Sequence, residues 1–121
     1  MMKYLALIVA LLAALTGSAL ALEPSIGSGE LTSDQIVYTV PARGAKCYIT
    51  GAQVITNGTN DARIIVYDGV DNTGDVITEI TAAGTDHYGG RVWTYPRLCT
   101  TGIYVDVNGT GASYIIEYIV R

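Results

Sequence analysis

The segment TGAQVITNGT at residues 50–59 decides the fold that the sequence predicts, because the chain uses it twice. The second copy reads TGIYVDVNGT at residues 101–110, and a pair of isoleucines and a tyrosine follow each copy at the same spacing. Nine of the 18 positions aligned in this way are identical. Each copy joins two apolar runs through Asn-Gly, which is the strongest short-range signal for a β-hairpin with a tight turn. The sequence therefore predicts two related hairpins that frame an all-β fold.

Strand alternation then predicts which side chains of each hairpin face the core. With Asn-Gly as the turn, the first copy should turn inward the side chains of Thr50, Ala52, Val54, Arg63, Ile65 and Tyr67. The second copy should turn inward those of Thr101, Ile103, Val105, Ala112, Tyr114, Ile116 and Tyr118. Cys47 falls on the other face unless Gly51 forms a β-bulge.

The remaining chain adds short β-rich runs separated by turn residues at intervals of about ten residues. These runs lie at residues 36–40, 76–80 and 91–95, the first and last being followed by Pro41 and Pro96. Proline cannot donate to a β-ladder, so Pro41 should mark a strand end or an edge, and Pro96 should stop its strand. With about seven or eight short strands, we expect an antiparallel β-sandwich that is jelly-roll-like.

The N-terminal segment resembles an export signal. Lys3 supplies a positive start, residues 4–15 are continuously apolar, and Ala19-Leu20-Ala21 fits a cleavage site. We therefore predict a signal peptide at 1–21, an extended arm at 22–35 and a β-sandwich domain at 36–121. The alternative is a retained membrane anchor, because residues 4–22 are just long enough to span a bilayer. Cleavage would make the protein secreted, extracellular, attached to the cell surface or periplasmic, with no membrane contact afterwards.

Composition limits the classes of partner. The chain has a formal net charge of −4, and its few basic residues are scattered. Such a chain lacks the basic patch that binds nucleic acid or an anionic membrane surface. We expect neither partner.

Two cysteines, Cys47 and Cys99, stand at similar places ahead of the two repeats. In an oxidising compartment two thiols are more often bridged than free, so we predict an intramolecular disulfide, with free or intermolecular thiols as the alternatives. Two cysteines and a single histidine lack the spacing of a zinc site.

Two polar groupings invite a functional interpretation. Asp68, Asp71 and Asp75 are spaced on one loop as calcium ligands could be, but aspartate, asparagine and glycine are ordinary turn formers, so we predict a plain turn. His87 could form a triad with Asp86 and Ser113, yet no serine lies in a nucleophile-elbow motif. We therefore predict no enzyme, no cofactor and no metal, and a solvated loop histidine.

Aromatic residues are the better clue to binding. Trp93 and Tyr95 alternate onto one face of their run, and an exposed pair could stack on a sugar ring or anchor a protein interface, with Asp86 nearby in sequence. The alternative is that a lone tryptophan belongs to the core of a small sandwich.

The run Tyr38-Thr39-Val40-Pro41-Ala42, the later Val66-Tyr67-Asp68-Gly69 and the ending GIYVDV at 102–107 resemble small β-sandwich modules of tailed-phage virion accessory and tail proteins. The resemblance covers about residues 36–121 and implies a structural role without catalysis. Arg43 stands where those modules usually have glycine, and the two cysteines and the export signal also depart from their pattern.

These observations favour an exported, non-enzymatic structural subunit that self-assembles or decorates a larger virion-like particle or surface fibre. Its arm at 22–35 could add a strand to the exposed sheet edge of a neighbouring copy. The alternative is a secreted β-sandwich module that binds carbohydrate or protein through Trp93, Tyr95 and Asp86.

Overall fold

The computed structural model describes residues 25–42 and 46–121. The predicted signal peptide at 1–21 lies outside the described residues, as does Arg43. The described chain forms eight strands: β1 Ile26–Gly27, β2 Gln35–Thr39, β3 Cys47–Ile55, β4 Ala62–Asp68, β5 Asp75–Ala82, β6 Tyr88–Cys99, β7 Gly102–Asn108 and β8 Ser113–Val120. A single 3₁₀ turn at Gly84–Asp86 precedes β6.

The strands form two four-stranded antiparallel sheets, which confirms the predicted β-sandwich. One sheet has the order β1-β8-β3-β6 and the other has the order β2-β7-β4-β5. The pairs β4·β5, β3·β6, β2·β7 and β1·β8 are nested along the chain, as if one long hairpin had been folded over on itself. This nesting in two sheets of four is the jelly-roll arrangement.

The two repeats do not form the predicted hairpins. β3 pairs with β8 and β6, whereas β4 pairs with β5 and β7, so the turn at Asn57-Gly58 carries the chain from one sheet to the other. The turn at Asn108-Gly109 does the same between β7 and β8.

The turn chemistry itself is as expected. The Asn57 side chain accepts hydrogen bonds from the backbone N–H groups of Thr59 and Asn60 at 2.9 and 2.8 Å. Gly58 and Gly109 have φ values of +89° and +128°, which residues with a Cβ rarely adopt. Asn-Gly therefore specifies a sharp reversal of the chain. The two strands that flank it pair with other strands, in different sheets.

Crossing between sheets also changes the inward face of β4. The buried side chains there are Ala62, Ile64 and Val66, so the prediction that Arg63, Ile65 and Tyr67 face the core is wrong. In the second repeat the prediction is confirmed for Ile103, Val105, Ala112, Tyr114, Ile116 and Tyr118, which are buried. It is wrong for Thr101, which is exposed.

β3 has a bulge beside Gly51, which is the condition under which Cys47 faces the core. The register of β3 shifts between Ile49 and Gly51 against both of its neighbours. The shift places Cys47 and Ile49 in the core on the same face as Ala52 and Val54. One extra residue in the strand thus turns the side chains before it inward.

The described part of the predicted arm, residues 25–35, belongs to the sandwich. Residues 26–27 form β1 on the outer edge of β8, and the backbone of Leu31 exchanges two hydrogen bonds of 2.9 Å with that of Tyr114. Asp34 accepts a hydrogen bond from the Val107 N–H, and Ser113 donates to Glu30. Residues 26–34 therefore pair with β8 and bond to β7 within the same sandwich.

Candidate functional site

The most distinctive surface of the described chain is the free edge of β6. This strand has 12 residues and stands at the end of its sheet, where β3 is its one neighbour. An edge strand presents unpaired N–H and C=O groups along its outer side, and these can pair with another chain.

The middle of β6 bulges away from β3. Ile49 stands opposite Arg97 and Gly51 stands opposite Val92, so the four residues 93–96 face the single residue Thr50. Pro96 lies inside this bulge, so the prediction that it ends the strand is wrong. A proline is tolerated at a bulged edge because no ladder hydrogen bond is required of it there. The bulge leaves one regular run of five residues, Tyr88 to Val92, at the start of the strand.

The β6 edge carries several exposed apolar side chains. The exposed fraction is 84% for Val92 and 86% for Tyr95, and Tyr88 and Leu98 are also exposed. Isolated apolar residues are common on protein surfaces, but a group of them on one unpaired edge marks a place for interaction or aggregation.

The predicted binding pair of Trp93 and Tyr95 does not share a surface. Trp93 is half-buried and packs against the core cluster, whereas Tyr95 projects into solvent from the bulge. Asp86 lies in the 3₁₀ turn before β6 begins. The first residue of β6, Tyr88, is five residues before Trp93, which corresponds to about 16 Å along the strand. Of the three predicted residues, Tyr95 alone combines an exposed ring with a position on the edge.

The thiols of Cys47 and Cys99 lie directly opposite each other at the end of the β3·β6 ladder, fully buried. They are unbonded, so the predicted disulfide is absent from this structure. The S–H of Cys99 donates a hydrogen bond to the Arg97 carbonyl at 3.9 Å. The interaction between the two thiols lowers the pKa of Cys47 and raises that of Cys99. Burial raises the pKa of both.

The acidic loop is the turn of the β4·β5 hairpin, where Asp68 and Asp75 stand opposite each other. The Asp68 carboxylate points to the β6–β7 connection instead of into its own loop. It accepts hydrogen bonds from the N–H and hydroxyl of Thr100 and from the N–H groups of Thr101 and Gly102, at 2.9–3.3 Å.

These contacts determine the acidity of Asp68. Partial burial raises its pKa, but the hydrogen bonds from Thr100, Thr101 and Gly102 together outweigh burial, so that the pKa lies below its ordinary value. Asp71 is used within the loop, where it accepts from the N–H and hydroxyl of Thr73. In residues 25–42 and 46–121, no group of three or more His, Cys, Asp or Glu side chains is placed to hold a metal ion.

The residues considered for a catalytic triad make other hydrogen bonds in the structure. The Ser113 hydroxyl donates to Glu30 at 2.5 Å. His87 ends the 3₁₀ turn with φ at +62°, and its carbonyl accepts from the Thr56 N–H at 2.7 Å. The backbone of His87 thus fixes the direction in which the chain enters β6.

A groove of about 480 Å³ lies at the end of β4 and β5, lined in part by Asp61, Arg63 and Asn108. Its charged groups are already used in the fold. Asp61 accepts from the Gly84 N–H at 2.9 Å, and Arg63 pairs with Glu79 at 2.7 Å. The groove is therefore a weaker candidate than the β6 edge.

In the part of the chain that the structure describes, no helix is long and apolar enough to cross a membrane. No protein-family model, curated protein or solved structure matches the chain. The resemblance to tailed-phage modules accordingly stays a prediction that rests on the sequence runs quoted above.

Proposed function

We propose that this protein is an exported, non-enzymatic structural subunit that self-assembles or decorates a larger particle or filament. The observation that carries the proposal is the long β6 edge with Val92 and Tyr95 exposed on it. Natural monomers protect such edges with charge, proline or a covering element. Here the bulge containing Pro96 protects the middle of the strand, and the regular run from Tyr88 to Val92 pairs with β3 alone in its sheet.

The edge changes the route of assembly that the sequence suggested. Residues 25–34 already pair with β8 and bond to β7 in their own copy. Donation of the arm would have to break those bonds first. Pairing through β6 requires no such rearrangement, so we favour β6 over the arm as the assembling element.

A double substitution on β6 tests this proposal. Val92→Lys/Tyr95→Lys adds two charges and removes the exposed apolar contacts, and should therefore convert assembled protein into monomer. The measurement is size-exclusion chromatography with negative-stain electron microscopy of the exported protein. Val70→Lys is the matched control, because Val70 is an exposed valine on the β4–β5 loop, outside β6, and should leave assembly unchanged. A wild-type protein that stays monomeric at every concentration would contradict the proposal.

Binding of carbohydrate or protein by the monomer is the second candidate, favoured by the 86% exposure of Tyr95. An exposed tyrosine ring can stack on a sugar or anchor an interface. This candidate predicts a monomer whose glycan-array signal disappears in Tyr95→Ala, with the melting temperature unchanged. Trp93→Ala should instead lower the melting temperature, since Trp93 packs on the core.

We further propose that Cys47 and Cys99 become a disulfide after export. Residues directly opposite on antiparallel strands have Cα atoms about 4.5–5.5 Å apart, within the range that a disulfide spans. Thiol–disulfide exchange with an oxidised protein disulfide would form the S–S bond, with both protons and both electrons passing to that partner, which leaves as a dithiol. In the chain-entropy model, closing so long a loop stabilises the fold by about 4 kcal/mol.

Thiol labelling under denaturing conditions tests the bond. Protein recovered from the exporting compartment should take up no label until a reductant is added, and two labels per chain afterwards. Protein expressed in a reducing cytoplasm provides the control and should label directly. Full labelling of the exported protein without reductant would show that the pair stays reduced.

A further inference from the structure

Charge is divided between the two sides of the sandwich. The β6 side carries Arg91 and Arg97, both exposed, and residues 88–99 include no acidic side chain. On the opposite side, residues 25–42 contain Glu30 and Asp34 and no lysine or arginine. The strand β6 is therefore basic, and the segment at residues 25–42 is acidic.

The strands at the acidic side also end their sheets. β2 has β7 as its one neighbour, and β1 has β8. β2 is the longer of the two, with five residues, and Ile36 on it is 46% exposed. Its length equals that of the regular run from Tyr88 to Val92 on β6.

Pairing of β6 with the β6 of a second copy is disfavoured by charge. An antiparallel pair of the regular runs, centred on Gly90, would bring the Arg91 side chains of the two copies to diagonal positions on one face. Like charges on neighbouring positions of paired strands repel each other. Because β6 has no acidic residue of its own, other registers offer no compensation.

We propose that copies join head to tail, with β6 of one copy pairing with β2 of the next. Arg91 and Arg97 then face the acidic side of the next copy, and the exposed apolar residues of β6 meet Ile36. A contact between two different surfaces that does not close into a ring continues as an open filament. This inference rests on the proposed self-assembly and specifies its geometry.

Two variants with altered charge test the geometry. Arg91→Glu/Arg97→Glu makes β6 acidic, and Ile36→Lys/Thr39→Lys makes β2 basic; all four side chains are exposed. Each variant alone should place like charges across the contact, and should raise the concentration needed for assembly about tenfold or more. An equimolar mixture should form filaments again, because every contact in an alternating chain then joins opposite charges. Light scattering and electron microscopy measure both results.

The outcomes separate this geometry from the proposed function. Wild-type protein that never assembles would contradict self-assembly itself. If the wild type assembles and Ile36→Lys/Thr39→Lys assembles equally well, self-assembly stands and the head-to-tail geometry is wrong. Circular dichroism confirms that each variant is folded, and Thr39→Lys alone is the milder substitute if the double change prevents folding, with the same expected direction.

Discussion

Replacing Tyr114 with alanine is expected to lower the free energy of unfolding by about 4 kcal/mol, within the range seen when a buried aromatic side chain is truncated. Tyr114 is fully buried and is the largest side chain with that degree of burial among the described residues. Its hydroxyl donates to the Ser33 carbonyl at 2.7 Å, and its backbone exchanges two hydrogen bonds with Leu31. The substitution therefore opens a cavity in the core and loosens the segment that leads into β2.

Tyr114→Phe separates these two effects. It keeps the ring and removes the hydrogen bond, leaving the Ser33 carbonyl without that donor, at a cost of about 1 kcal/mol. Burial raises the pKa of Tyr114 to about 12, so the hydroxyl stays protonated and able to donate over the whole neutral range. Urea unfolding measures both variants. Equal stability of Tyr114→Ala and the wild type would mean that this side chain is not in the core.

Asp68→Ala is expected to lower the free energy of unfolding by about 2–3 kcal/mol, because hydrogen bonds to a charged group contribute more than neutral ones. The carboxylate holds three consecutive N–H groups, those of Thr100, Thr101 and Gly102. After the substitution these N–H groups can bond only to water. The β4–β5 hairpin also loses its hydrogen bonds to the β6–β7 connection. Asp71→Ala is the matched control, since Asp71 contacts Thr73 within its own exposed loop, and it should change stability far less.

Acid should reproduce part of the effect of Asp68→Ala. The pKa of Asp68 is lower in the folded protein than the value of about 3.9 in an unfolded chain. Its stabilising contribution is therefore complete above that value and is lost as the pH falls from there through the folded pKa. The difference in stability between wild type and Asp68→Asn should shrink over the same range. A difference that is constant down to pH 2 would show that the carboxylate contributes no ionic hydrogen bonding.

The sequence predicted the sandwich because strand alternation and turn residues are local signals. It could not predict the partners of each strand. The Asn-Gly pairs at 57–58 and 108–109 allow positive φ, and that freedom serves a hairpin and a crossing between sheets equally well. Pairing between residues far apart in the sequence, such as Ile49 with Tyr118, determines which of the two arrangements forms, and no local pattern encodes that pairing.

The same limit explains the errors on individual side chains. Counting alternation through a supposed hairpin placed Ile65 inside and Ile64 outside, whereas the crossing to the second sheet reverses them. The direction of Cys47 stayed open in the sequence, because it depended on a bulge at Gly51, although a glycine in a strand is a recognisable bulge signal.

The candidate site was predicted in part. Tyr95 and Trp93 were singled out together, but the bulge at 93–96 sends one ring outward and keeps the other on the core. Pro96 was a usable signal for an edge, and it was interpreted as a strand end. The separation of charge between Arg91 and Arg97 on one side and Asp34 on the other became visible only when topology had placed β6 and β2 at opposite edges.

Amide hydrogen exchange on assembled and monomeric protein tests the central claim most directly, since it reports which backbone groups become paired. Head-to-tail assembly predicts slower exchange in two segments, β2 at Gln35–Thr39 and the run from Tyr88 to Val92 in β6, with no change in the central strands β3 and β8. Assembly that protects some other segment while both of these exchange at the monomer rate would contradict the account.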